Sequence, residues 1–206
     1  MNYETVERGL GIVILGQYNP RQVSIDWLVD HQIVKAEERE RTRQDVANDN
    51  LTVFNVGNIR VFCDKIRLQV GTTDVVMIPR VLSFCRDFLD TADVGSFRGI
   101  GINPHLVIKF TSVEEEELFE NRMLPPMATW EMLCERGQIG TIAIKNENKT
   151  ISMVRTKQED GSFVYSFNVN MHYELQGVAD IITTIENAQQ GYNTEVNILD
   201  SVIRSI

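Results

Sequence analysis

Residues 163–175 read FVYSFNVNMHYEL, and their alternation sets the fold class. Phe163, Tyr165, Phe167, Val169, Met171 and Tyr173 fall on one side of an extended chain. Ser166, Asn168, Asn170, His172 and Glu174 fall on the other. Side chains alternate across a strand, so this is an antiparallel strand with one face in a core and one face wet. Working outward, 139–145 and 151–156 are two more short strands, joined by a turn at 146–149 and followed by a turn at Asp160-Gly161. Together they make a three-strand meander.

The same arrangement precedes it. Leu51–Val56 and Ile59–Cys63 flank Gly57-Asn58, a dipeptide suited to a two-residue hairpin, and Ile66–Val70 adds a third strand. Pro79 opens a helix striped by Val81, Leu82, Cys85, Phe88 and Leu89, the spacing of one buried face. Each meander is preceded by a β-branched strand that runs into Asn-Pro: Gly11–Tyr18 before Asn19-Pro20, and 97–102 before Asn103-Pro104, with a continuation over Leu106–Phe110. A helix follows each opening strand. Ser24 or Asp26 caps one that continues into the charged segment Lys35–Arg43, which has no apolar stripe and reads as a solvated helical face or a mobile connection. Ser112 with Glu115 forms a capping box for the other, with Glu114–Glu117 suited to the positive end of the helix dipole and facing solvent. A short helix is expected over Thr129–Glu135. Two striped helices are expected at the end, Val178/Ile181/Ile182/Ile185 and Val196/Leu199/Val202/Ile203, with Gly191 as the C-cap between them. The expectation is an α+β domain spanning 1–206. It would contain one long antiparallel sheet of about eight strands with helices on one face, and two β-α-βββ-α pseudo-repeats at 9–92 and 97–206.

Composition narrows the functional classes. A formal net charge of −9, with no basic run, opposes the phosphate neutralisation on which nucleic-acid binding rests. No stretch approaches the roughly 20 apolar residues of a membrane span, and the first residues lack a signal peptide's pattern, so a cytoplasmic protein with neither nucleic-acid nor membrane partners is expected. Cys63, Cys85 and Cys134 are odd in number and far apart, which speaks for small buried hydrophobes in a reducing compartment.

Catalytic patterns are missing or misplaced. Gly99-Ile100-Gly101 lacks the third glycine and the helix of a dinucleotide fold. Glu147-Asn148-Lys149 has the letters of a metal-nuclease E-x-K but sits in a hairpin turn, where all three side chains would be free in water. The histidines His31, His105 and His172 are too scattered for a metal motif. No catalytic residue, metal or cofactor is therefore assigned, and a non-enzymatic protein is expected. A polar ligand site, if one exists, would draw on Asn19, Asn103, His105, Asn168, Asn170 and His172, at the strand ends and on the polar face of 163–175. The stripe Val196, Leu199, Val202 and Ile203 is the candidate interface for a homo-oligomer or a protein partner.

The order of an Asn-Pro-terminated strand, the meander 53–71, the helix 79–91 and then Arg98-Gly99-Ile100-Gly101-Ile102-Asn103 resembles a scattered bacterial family of α+β proteins. Its members follow the meander with a helix and a strand reading roughly R-x-G-x-x-x-N, and they close on a long strand and a helical tail, as over 167–206. The resemblance covers most of the chain and implies an architecture but no activity. A remoter likeness, to the SecB-type chaperone subunit, implies a sheet-and-helix oligomer that holds unfolded clients. These readings favour a protein-binding or assembly subunit, with a small-molecule sensor or enzyme built from scattered polar residues as the alternative.

Overall fold

The computed structural model describes residues 1–92, 96–123, 142–146, 148–175 and 177–205. Nine strands form one antiparallel sheet: β1 (Tyr3–Gly16), β2 (Thr42–Ala47), β3 (Leu51–Val56), β4 (Ile59–Asp64), β5 (Arg67–Thr72), β6 (Phe97–Phe110), β7 (Ile142–Asn146), β8 (Lys149–Lys157) and β9 (Phe163–Glu174). Their order across the sheet is β2-β3-β4-β5-β1-β6-β9-β8-β7. Outward from the β1–β6 seam, each half presents its opening strand, then the last, middle and first strands of its meander.

The seam is the longest pairing, running from Tyr3↔Phe110 to Gly16↔Phe97. Both strands exceed expectation, because β1 begins at Tyr3 and β6 continues through Asn103-Pro104 instead of breaking there. Leu10, Ile12 and Ile14 on β1 and Ile100, Ile102, Leu106 and Ile108 on β6 are buried on one face. They lie beneath α3 (Ile78–Thr91) and α5 (Val178–Ser205), which touch each other. α4 (Val113–Met123) joins this face through Phe119, whose ring packs against Phe110, Tyr165 and Phe167. α1 (Ile25–Asp30) joins it through Trp27 against Phe88. At the turn between β3 and β4, Gly57 takes φ of +57°, as the hairpin requires.

Three local expectations are corrected. The helix projected through Lys35–Arg43 stops early: after α1 comes the single turn α2 (Ala36–Arg39), and the chain then forms edge strand β2. Thr42–Ala47 is almost entirely solvated, so no apolar alternation marked it as a strand. α2 is held to α3 by Arg80, which donates to Glu38 Oε1 at 3.0 Å and Oε2 at 2.8 Å. The two terminal helices are one, 28 residues long, and Gly191 lies inside it without a positive φ. Nothing in the packing requires a glycine there, since a Cβ at that position would meet only Met171 Cε at 4.0 Å, an ordinary contact. Finally, the capping box at Ser112 is half formed. Ser112 Oγ accepts from the Glu115 amide, but the Glu115 carboxylate accepts from Asn2 N–H and Thr111 instead. The expected helix over Thr129–Glu135 and Cys134 lie outside the described residues.

Two glycine substitutions test this architecture in opposite directions. Gly191→Ala should stabilise the protein by about 0.5–1 kcal/mol if α5 is continuous, whereas a left-handed cap would make it destabilising. A Cβ at Gly9 would stand 2.1 Å from the Thr72 carbonyl oxygen. Gly9→Ala should therefore cost more than about 2 kcal/mol in urea denaturation, and a neutral result would refute the close approach of β1 to the end of β5.

Candidate functional site

The sheet face opposite the helices carries the odd-numbered residues of β1 from Glu7 onward, after the register shift that follows Thr5, the odd-numbered residues of β6 and the even-numbered residues of β9. Among the described residues no helix covers it. Strand register sets its transverse rows. One row runs Asn55, Arg60, Gly71, Gly11, Asn103, from pairings Asn55↔Arg60, Arg60↔Gly71, Gly71↔Gly11 and Gly11↔Asn103. The β6–β9 register on either side of Pro104 puts Asn170 across from Asn103. The adjacent row on this face contains Gly9, His105 and Asn168. Two glycines paired to each other thus lie between taller polar neighbours, and the result is a cleft of about 680 Å³. That volume lies within the range of small-ligand sites.

Its floor and walls differ in kind. A strand glycine removes side-chain packing and loses more backbone entropy on folding, so it needs a reason. Gly71 has one, since a Cβ there would crowd β1 backbone atoms at 3.2 and 3.3 Å. Gly11 has none in the fold: its φ is not positive, and a Cβ would meet only Asn103 atoms at 3.7 and 3.9 Å. What a side chain there would do is fill the cleft. On the walls, the side chains of Arg60, Gln69, Asn103, Asn168 and Asn170 make no hydrogen bond to any described residue. The Oδ1 of Asn103 is buried and unpartnered. Asn55, by contrast, donates to Asp45 at 3.1 Å. His105 Nε2 stands 3.7 Å from Glu7 at the margin. No carboxylate lines the cleft, although the chain carries 29 acidic residues against 20 basic ones.

Of the six polar residues expected to make a site, Asn103, His105, Asn168 and Asn170 come together here. His172 lies beyond Asn170 in a second depression, of about 560 Å³, that also includes Lys145 and Tyr173, with the His172 ring beside Gly99. Asn19 is elsewhere. Its Oδ1 caps the Arg21 amide at 3.2 Å, and it borders a small crevice with Tyr18, Trp27 and Phe88 near the helix layer. Reading the sequence missed Arg60, Gln69, Gly11 and Gly71, all contributed by the first half of the chain. The usable signal was a glycine in each of two apolar strands, at positions no turn demands.

The interface stripe is corrected as well. Val196, Leu199 and Ile203 are buried in the chain's own core, while Val202 is exposed beside Ile198 one turn earlier. The stripe follows α5 onto the sheet, so its apolar face is consumed internally.

Two polar clusters outside the cleft serve to hold helices in place. Tyr165, wholly buried, places its hydroxyl 2.8 Å from Glu116 Oε1 and 2.6 Å from Glu120 Oε1. Arg155 pairs with Glu120 at 2.7 Å and with Glu116 at 3.4 Å, its guanidinium 3.4 Å over the Phe163 ring. Glu116, expected in solvent, is therefore turned inward. The single phenolic proton serves one carboxylate at a time, and Arg155 balances the other. Lys149, expected to be free in a turn, begins β8 and donates to Glu195 at 2.6 Å; Glu195 is 7% exposed. The E-x-K reading loses its lysine to this pair, and Glu147 lies outside the described residues.

The remaining candidates are structural. His31 caps α1 and stacks on Trp27 with ring centroids 4.2 Å apart. Cys63 and Cys85 are buried, and burial pushes the Cys63 thiol up to about 12. Among the described residues, no group of three or more His, Cys, Asp and Glu is placed to hold a metal ion, and no helix is long and apolar enough to cross a membrane. The chain matches no protein-family model, and comparison with curated proteins gives no match.

If the fold does not need Gly11, Gly11→Ala should leave the protein folded and gain up to about 1 kcal/mol in urea denaturation, in contrast to Gly9→Ala. A loss of stability would make Gly11 structural. The Tyr165 cluster predicts a pH effect. Burial first, then Glu120 and Glu116, raise the Tyr165 hydroxyl above its ordinary pKa; burial and Asp200 raise Tyr3 to about 12. Both groups ionise near 10 when unfolded. Their contribution is therefore complete below pH about 10 and lost as pH rises from there through the folded values. Tyr165→Phe should flatten the decline in stability between about pH 9 and 11; an unchanged slope would exclude Tyr165 as its source.

Proposed function

We propose that this chain is a non-enzymatic binding module that takes a small polar ligand into the glycine-floored cleft on the open face of its sheet. The observation that carries this reading is the set of unpaired polar side chains, Arg60, Gln69, Asn103, Asn168 and Asn170, standing on both sides of Gly11 and Gly71. Asn103 and Asn168 are half-buried, and the buried Oδ1 of Asn103 has no partner, a state that costs about 1–3 kcal/mol where solvent is excluded, while Arg60, Gln69 and Asn170 are exposed with their polar ends free to meet a ligand in place of water. Here they converge on one trough that nothing in the described chain fills. Four amides and an arginine supply directional donors and acceptors.

A protein-binding or assembly subunit, expected from an acidic two-layer chain without a catalytic motif, loses the support of its terminal stripe, because three of those four residues are core. Val202 and Ile198 alone make no patch of the size that marks an association surface. A client-holding role of the SecB type would be served by a broad apolar face, whereas the free groups of this cleft are polar. The net charge of −9 and the cysteine usage support a cytoplasmic setting for this role.

The test is a spectroscopic screen. Uniformly 15N-labelled protein should be titrated with a panel of polar metabolites while the side-chain amide resonances are followed. A ligand should shift the NH2 pairs of Asn103, Asn168 and Asn170 together, and Gly11→Leu, which plugs the floor, should abolish the response. Shifts confined to other residues, or a response unaffected by Gly11→Leu, would place binding elsewhere and contradict the proposal.

A further inference from the structure

We infer that the ligand of this cleft is a sugar acid: a polyhydroxylated molecule whose carboxylate meets Arg60 and whose hydroxyls meet the amides of β6 and β9. The inference rests on the proposed binding role and names its ligand class. The two walls are chemically distinct. On the β4 side stands Arg60, which makes no ion pair with any described residue. Across the floor, on β6 and β9, stand Asn103, Asn168 and Asn170, with His105 beside them. Arg60 and Asn103 are three strand steps apart in one row, about 14 Å between backbones at the usual strand spacing. A ligand that bridges the walls must therefore be elongated, with an anionic end and an uncharged hydrogen-bonding end.

Each part of that description follows from side-chain chemistry. A carboxamide offers donors and an acceptor side by side, and a hydroxyl both donates and accepts, so a cluster of amides suits a run of hydroxyls. No carboxylate lies in the lining itself, which lessens the repulsion an acidic ligand would meet; those behind it face lining residues, Asp45 held by Asn55, Asp74 by Asn58 and Glu7 beside His105. A planar guanidinium matches a carboxylate in bidentate geometry. A phosphate is less well served. Phosphate sites draw on backbone N–H groups at loops or helix N-termini, and here the floor is strand backbone whose N–H groups belong to the ladder. An extended peptide gains its affinity by adding to a sheet edge, which this trough, crossing the strands, does not offer.

The experiment uses the full chain and three probes: digalacturonate, its dimethyl ester and pyrophosphate. Affinity is measured by calorimetry, with the Asn103, Asn168 and Asn170 side-chain resonances followed in parallel. Digalacturonate should bind at least about ten-fold more tightly than the ester. Arg60→Gln should bring the acid down to the affinity of the ester and leave the ester unchanged, while Asn103→Ala should weaken both. Thermal unfolding of the two variants, expected to match the wild type, separates these losses from misfolding. Three results overturn the inference. Pyrophosphate binding more tightly than digalacturonate, with dependence on Arg60, assigns the cleft to phosphates. Acid and ester binding equally removes the role of Arg60. No response to any probe, while some other polar molecule still shifts the amides in a manner blocked by Gly11→Leu, rejects the sugar acid and leaves the cleft intact as a binding site.

Discussion

The pairing of β1 with β6 is the constraint on which the rest of the structure depends. Each meander is only a few short strands, and a small sheet with one apolar face is marginal until something covers it. Joining the two opening strands along almost their whole length, from Tyr3↔Phe110 to Gly16↔Phe97, turns two marginal sheets into one. The seam puts Ile12 beside Ile102 and Ile14 beside Ile100 in the same core, where α3 and α5 can cover both halves at once. It also produces the cleft. Gly11, Gly71, Arg60 and Gln69 come from one half and Asn103, Asn168 and Asn170 from the other, so neither half alone has the floor and both walls.

Polar contacts then decide where the helices sit, and they do so in protected places. Arg155, Glu116, Glu120 and Tyr165 lock α4 over β8 and β9. Lys149 and Glu195 join the start of β8 to the middle of α5. Tyr3 donates to Asp200 beneath the Arg204 guanidinium, which ties the beginning of β1 to the last turns of α5. Partly buried pairs like these are weak evidence of net stabilisation, yet removing one member leaves an uncompensated charge. They specify which helix lies on which strand. The cleft face uses its polar groups differently: the side chains of Gln69, Asn103, Asn168, Asn170 and Arg60 are left without partners among the described residues, on the side of the sheet where solvent or a ligand can satisfy them.

Much of the fold was legible, for a physical reason that can be traced residue by residue. The alternation in 163–175 and the Gly57-Asn58 turn report directly on local geometry, and both meanders follow from them. β2 was not legible, because an edge strand solvated on both faces has no buried residues to impose a period of two. The continuity of α5 is hidden by Gly191, a residue type that commonly ends helices but here lies inside one without a positive φ. The same logic divides the site. Asn168 and Asn170 could be found because they share a polar face within one strand. Arg60 and Gln69 could not, since only the pairing of β1 with β5 and β6 carries them to the same trough. The terminal stripe shows the opposite failure: helical periodicity identifies an apolar face but does not say whether the chain itself or another molecule covers it.

Because one seam builds both the core and the cleft, native-state hydrogen exchange tests the account most directly. The paired amides of β1 and β6 between residues 10–15 and 99–106 should be the slowest in the molecule. Those of the two meanders should open with them in one cooperative step as urea is raised. If instead the two meanders open independently, with distinct free energies, while the seam exchanges early, then the halves are separate folding units. The glycine floor and the amide wall would then not form one site.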